Sequence, residues 1–332
     1  MNSYARVGAI LVLGTLLSSE AFAESRYSDW EAPVNLRSLN GNLDCSGINT
    51  GFNDAGPGIS KDGLSLYFAS NRPSPPNPPG TILIYVAQRA SRGDPWGPPQ
   101  IEPILGQGNV VSLSRDGHWV FFNSTRPGGF GDVDIWASYR QHVHDDFDWQ
   151  TPINLGPGVN TDKFEAGASY FENEDGSAPL LFFGRAESSA TQATTTDIWV
   201  ADLLPNGTFG NARRVDDLSS PEPYGDQRPS IRFDGLEIFF FSNRPGSQGT
   251  SDIWVATRKD VHDPLEWDPP VNLGPVVNST VADFNPHISG DGLTLYFASS
   301  RSTWGEPPQS ACGGFDIYMS TRKRSRGADK AN

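Results

Sequence analysis

Apolar residues run through this chain in short bursts, each introduced by an Asp-Gly pair and closed by an arginine. The runs LSLYFASNR, HWVFFNSTR, APLLFFGR, LEIFFFSNR and LTLYFASSR follow Asp62-Gly63, Asp116-Gly117, Asp175-Gly176, Asp234-Gly235 and Asp291-Gly292. One loop later comes a second set, ILIYVAQR, DIWASYR, DIWVADL, DIWVATR and DIYMSTR. Aromatic and β-branched runs between connectors of Gly, Pro, Asn and Asp predict strands. No window sustains a helical period.

Each unit has two further strands. One enters the Asp-Gly turn, as in DQRPSIRFDG of the fourth unit. The other leaves the DIW run, as in WEAPVNLRS, WGPPQIEPI, WQTPINLGP, FGNARRVDD and WDPPVNLGP. The Asp-Gly turns are separated by 54, 59, 59 and 57 residues. Four strands recurring at this spacing predict an all-β, five-bladed β-propeller. The register also predicts how the ring closes. The chain opens with a fourth strand, Trp30 to Ser38, and ends after a third strand, Asp316 to Arg322. The N-terminal strand therefore completes the last blade and removes an open sheet edge.

The expected boundaries are a leader at 1–23, the propeller at 24–324 and a short basic tail at 325–332. The leader reading rests on Arg6, the apolar run VGAILVLGTLL and the small-x-small site Ala21-Phe22-Ala23. The run is short for a bilayer span, so no membrane insertion is expected. The mature protein is expected to be periplasmic or secreted. A net charge of −14 argues against nucleic acid and anionic membranes as partners. The expected partner is neutral, cationic or metal-bridged, and is a protein, a peptide or a glycan outside the cytoplasm.

Two cysteines in an exported chain suggest one disulfide. Chain direction places Cys45, after the N-terminal strand, and Cys312, in a loop of the fifth blade, on the same face beside the same blade. A Cys45–Cys312 bond would staple the seam; the alternative is two free buried thiols.

A strand ending in Ser/Asn-x-Arg, a Gly-rich loop and then DIW resembles the TolB-type propeller repeat, a WD-like repeat of exported bacterial proteins. ISKDGLSLYFASNR and ISGDGLTLYFASSR are the best copies, and the resemblance covers Trp30 to about Lys323. It implies a propeller fold. It spans binding scaffolds, domains attached to cell-wall-binding modules and some enzymes, so function must come from the site. The chain departs from TolB itself in having five units and no separate N-terminal α/β domain.

Eight residues before the turn aspartates, where the innermost strands begin, stand Asp54, Gly108, Asp226 and Asp283; alignment places Glu165 there in the third unit. Asn109 adjoins the glycine. Three readings are open for this acidic ring. The acids are structural, bonding neighbouring backbone N–H groups or an arginine, while Arg72, Arg126, Arg185, Arg244 and Arg301 bridge the aspartates that open the third strands, Asp134, Asp197, Asp252 and Asp316. Or the mouth binds a ligand through Asp54, Asn109, Glu165, Asp226, Asp283, His287 and Trp304, with Phe52, Phe164, Tyr224 and Phe284 nearby. Calcium is the one cofactor this reading admits, on Asp54, Glu165, Asp226 and Asp283. Or Asp54, Glu165 and Asp226 are catalytic, since five-bladed glycoside hydrolases place carboxylates around such a channel; none of the motifs of those enzymes occurs here. The leading expectation is a binding or interaction scaffold working through a carboxylate-rich mouth. The alternative is a carbohydrate-active hydrolase using the same acids.

Overall fold

The computed structural model describes residues 26–39, 45–301, 312 and 314–325. The expected leader, Trp304 and residues 326–332 of the expected tail lie outside the described residues. Five antiparallel four-stranded sheets follow one another along the chain. From the axis outward, blade one is Asp54–Ile59, Ser65–Ser70, Leu83–Gln88 and Gln100–Ile101. Blade two is Asn109–Leu113, Trp119–Ser124, Asp134–Tyr139 and Ile153–Asn154. Blade three is Phe164–Phe171, Leu180–Ala186, Asp197–Leu203 and Phe209–Arg214. Blade four is Asp226–Ile231, Glu237–Ser242, Asp252–Thr257 and Val271–Asn272. Blade five takes Asp283–Ile288, Thr294–Ser299 and Asp316–Thr321 from the C-terminal part of the chain and Val34–Asn35 from the N-terminal part.

The repeated motifs have separate structural jobs. The Asp-Gly pairs make the turns of the lower face, and the five glycines adopt φ between 72° and 79°, where a Cβ is strained. The arginine closing the third strand donates to the turn glycine's carbonyl: Arg89 to Gly63, Arg140 to Gly117, Arg258 to Gly235 and Arg322 to Gly292. Each of these arginines also covers a tryptophan near the fourth strand, Trp96, Trp149, Trp267 and Trp30 in turn.

The apolar core lies between the blades. One cluster fills each interface, and the interface of blades five and one is filled like the others, by Leu36, Ile48, Ile59, Leu66, Phe68, Tyr296 and Ile317 among others. Burial on both faces of each sheet explains why the second strands read as unbroken apolar runs rather than alternating ones.

The N-terminal strand does complete blade five, but it is shorter than the sequence suggested. Val34 and Asn35 pair with Met319 and Tyr318, and Leu36–Leu39 then turns into one helical turn. The seam is held by side chains as much as by ladder bonds. Asn35 donates to Asp316, Asn49 donates to Asn35, and Asn49 makes two hydrogen bonds with the Ile317 backbone. Asn154, Asn160 and Asp134 repeat this cassette in blade two, and Asn272, Asn278 and Asp252 in blade four. The two ends of the chain thus remake a unit that is continuous elsewhere. Cys45 and Cys312 are disulfide-bonded across the same seam, with Cα atoms 5.3 Å apart.

That bond closes a separation of 267 residues. Replacing both cysteines by serine is expected to lower stability by about 5 kcal/mol at most, on chain-entropy grounds. Urea unfolding measures it, and an unchanged midpoint would show that the disulfide does not constrain the unfolded chain.

Candidate functional site

The upper face holds the starts of the innermost strands and the mouth of the central channel. Asp54, Glu165, Asp226 and Asp283 stand there as expected, but every one is fully buried, with no exposed surface. Each is bound inside its own blade. Asp54 accepts from the Thr50 N–H at 2.6 Å, the Thr50 hydroxyl at 2.7 Å and Arg72 at 2.8 Å. Asp283 accepts from the Ser279 N–H, the Ser279 hydroxyl and Arg301 in the same way. Glu165 takes Thr161 and Arg185, and Asp226 takes the Ser220 N–H and Arg244. Burial pushes the Glu165 carboxyl up, against the opposing pull of Thr161 and Arg185.

The inner acids thus bond backbone N–H groups and an arginine, as their structural reading expected, and the arginines after the second strand are taken up there, which corrects the expected bridge to the third-strand aspartates. Geometry explains the difference. In blades one, four and five the arginine follows, by two residues, the serine that pairs with the opening acid, as Arg244 follows Ser242 opposite Asp226, and its guanidinium lies over the aromatic rings of the second and third strands, as Arg244 does over Phe240 and Trp254. The third-strand aspartates turn the other way. Asp134 accepts from the Phe130 and Gly131 N–H groups and from Asn154, and Asp252 from Gln248, Gly249 and Asn272. Asp197 is the exception, paired with Arg214 of the fourth strand.

Blade two lacks the acid because nothing fits there. A Cβ on Gly108 would stand 2.7 Å from Phe122 and 2.9 Å from Ile84. Arg126 bonds instead to Ser124 and to the carbonyls of Leu105 and Gln107. The four acids form no group that could hold a metal, and no such group of His, Cys, Asp or Glu exists among the described residues.

What lines the mouth is different. A cavity of about 370 Å³ opens there, walled by the amides of Asn53, Asn71, Asn109 and Gln227. Arg228 and Asn285 project into it, with Phe241, Phe284 and Phe315 along one side and no Asp or Glu among its described walls. The last three rings form a T-shaped chain, with centroids 6.0 and 4.9 Å apart. Asn109 and Phe284 thus reach the cavity expected of them, whereas Phe164 is buried against Val133, Ala166 and Ala186. Phe52 is exposed and Tyr224 half-buried.

Arg228 and Asn285 were not singled out from the sequence, and both come from one device. Every innermost strand carries a bulge two residues after the acid position, and there the backbone takes φ of 50° to 69°: Gly56, Val110, Gly167, Arg228 and Asn285. Glycine fits this conformation without cost; arginine does not. An Arg where two sister blades carry Gly is a signal that aligning the repeats could have exposed. The Nη1 of Arg228 is buried without a hydrogen-bond partner, and so is the Oδ1 of Asn285, a residue only 3% exposed. Burial alone pushes the Arg228 guanidinium down to about 10, so it stays charged at neutral pH.

His287, two residues beyond Asn285, touches the Ile59 backbone, and burial pushes its imidazole down to about 4. It is neutral in the folded protein. The lower-face histidines lie apart from the mouth, His142 against Asp148 and His262 against Asp175.

No family model and no curated protein matches the chain. Solved structures do match. The α-L-arabinofuranosidase from Lactobacillus brevis is 15% identical, with 87% of this chain and 94% of that one covered and a TM-score of 0.55. The endo-arabinase from Bacteroides thetaiotaomicron VPI-5482 is 14% identical, over 86% and 97% of the two chains, with a TM-score of 0.51. TolB from Acinetobacter baumannii is 17% identical, over 81% of this chain and 55% of that one, with a TM-score of 0.45, too low to carry weight. At these identities the likeness is one of fold.

Two outcomes follow from the buried groups. Arg244→Ala strips Asp226 of its guanidinium in a site with no exposure and is expected to cost about 3–5 kcal/mol in urea unfolding; a cost under about 1 kcal/mol would mean the pair is not structural. For His287, the unfolded chain takes up a proton below its ordinary value of 6.5 and the folded chain refuses it until about 4. Stability present above pH 6.5 is therefore lost as pH falls toward 4, by roughly 3 kcal/mol at most. His287→Gln is expected to flatten that limb of the stability curve, and an unaltered slope would contradict the buried neutral state.

Proposed function

We propose that this protein is a non-catalytic binding propeller whose ligand sits in the channel mouth. The observation that carries the reading is the state of the four upper acids, each buried and each bound within its blade to an arginine and a backbone N–H. Glycoside hydrolysis needs two carboxylates free to face a glycosidic oxygen and a water or anomeric carbon. These acids are committed elsewhere, and the mouth they were expected to line is walled by amides, rings and a guanidinium.

The surface around the mouth supports an interaction role. Phe52, Ile82, Ile104 and Phe130 are all exposed, between 43% and 52% for the phenylalanines and 42% and 43% for the isoleucines. All four lie in connections of the upper face. Exposed apolar side chains in these loops suit contact with a partner. The TolB-type character of the repeat and the leader-like N-terminus support action outside the cytoplasm, in the periplasm or beyond, on a protein, peptide or glycan. Among the described residues no helix is long and apolar enough to cross a membrane.

A broad glycan and aryl-glycoside screen tests the reading. The wild-type chain and Glu165→Gln are both expected to release no sugar above the uncatalysed rate. Turnover by the wild type that Glu165→Gln abolishes would restore the hydrolase and remove the scaffold.

A further inference from the structure

We propose that the channel mouth binds a small sugar acid, with the ligand's carboxylate paired to Arg228 and a ligand hydroxyl donating to the Oδ1 of Asn285 beside it. This deepens the reading of the mouth as a binding site and rests on it.

A guanidinium nitrogen enclosed without an acceptor is costly to a fold, and Arg228, half-buried as a residue, has its Nη1 in that state. The other arginines of the upper face show the remedy the chain ordinarily uses, an acid or backbone carbonyls within the same blade. Arg228 has no such partner; burial is the sole influence on its charge, and its Nη1 is unsatisfied. Its backbone is also held at φ 53°. Gly167 of the neighbouring blade makes the room, because a Cβ there would stand 2.6 Å from the Arg228 Cα and 2.8 Å from its Cγ. A strained, unpaired cation accommodated by a glycine next door is a poor contribution to stability and a good anchor for an anion. Asn285 adds a buried acceptor without a partner on the same wall, its Oδ1, which a ligand hydroxyl can satisfy and a carboxylate cannot.

The rest of the cavity narrows the ligand's chemistry. Amides donate and accept, which suits hydroxyl groups. Phe284, held between Phe241 and Phe315, offers an apolar ring to the C–H face of a pyranose. The volume of about 370 Å³ suits one or two sugar rings rather than a long polymer. The net charge of −14 repels polyanions at a distance while leaving a monoanion only weakly opposed. Galacturonate and glucuronate meet all these conditions.

Calorimetric titration of the full chain tests the proposal with galacturonate, glucuronate, glucose, the methyl ester of galacturonate and an acetylated tripeptide with a free C-terminus. The expected result is saturable binding of at least one of the two acids, with none by glucose or the ester at the same concentrations. Arg228→Gln is expected to lower affinity about 10- to 100-fold, the loss of a charge-assisted pair. Its Tm is expected to equal or exceed that of the wild type, which a structural arginine would not allow. The ester comparison uses the wild-type chain and stands even where a variant fails to fold. No binding of either acid, or equal binding of acid and ester, overturns the proposal. Binding of the peptide alone overturns the sugar assignment while leaving a binding module in place, whereas glycan turnover dependent on Glu165 would remove the binding module itself.

Discussion

The upper half of this propeller depends on one interaction, a buried carboxylate at the start of the innermost strand held by the arginine that ends the next. Neither charge is tolerable alone in that position. Paired, and with a backbone N–H added in every case, they fix where the first strand begins and which way the second leaves it. The arginine also lies over the aromatic rings of its own blade, so one guanidinium ties the strand ends to the core between blades. The same commitment decides the chemistry. Acids consumed in this way cannot ring a channel with free negative charge, and the channel is left to whatever the bulge positions supply.

The bulge is the point where the repeat stops being uniform. Gly56, Val110 and Gly167 put little into the channel, while Arg228 and Asn285 put polar groups there that the fold does not satisfy. The asymmetry is confined to blades four and five, where the phenylalanine chain also lies. A fivefold frame with its distinctive groups gathered on one side of the axis is a frame in which the site is carried by departures from the repeat.

Much of the fold was legible because it rests on repetition. Asp-Gly turns need a residue free of Cβ, DIW needs an aspartate for the loop amides and a ring beneath the arginine, and both recur at one spacing. The closure at Val34–Asn35 and the Cys45–Cys312 bond followed from strand order and chain direction. The candidate site was less legible for the same reason. Position along the strand marked Asp54, Glu165, Asp226 and Asp283 as a group, but not which way each carboxylate turned. A residue at the mouth of a channel can point into it or into the seam beneath the arginine, and a sequence spacing does not distinguish the two. Arg228 escaped notice because the bulge that aims it inward is a backbone feature, visible from sequence only as an arginine in the place of two glycines.

A double-mutant cycle on Asp283 and Arg301, the most buried of the four upper-face acid–arginine pairs, tests the central claim most directly. Urea unfolding of Asp283→Asn, Arg301→Met and the double variant gives the coupling energy. A structural pair predicts strongly destabilised single variants, a double variant that recovers part of the loss, and coupling of about 2 kcal/mol or more. Coupling near zero, with Asp283→Asn as stable as the wild type, would contradict it and return the acids to the channel as free groups.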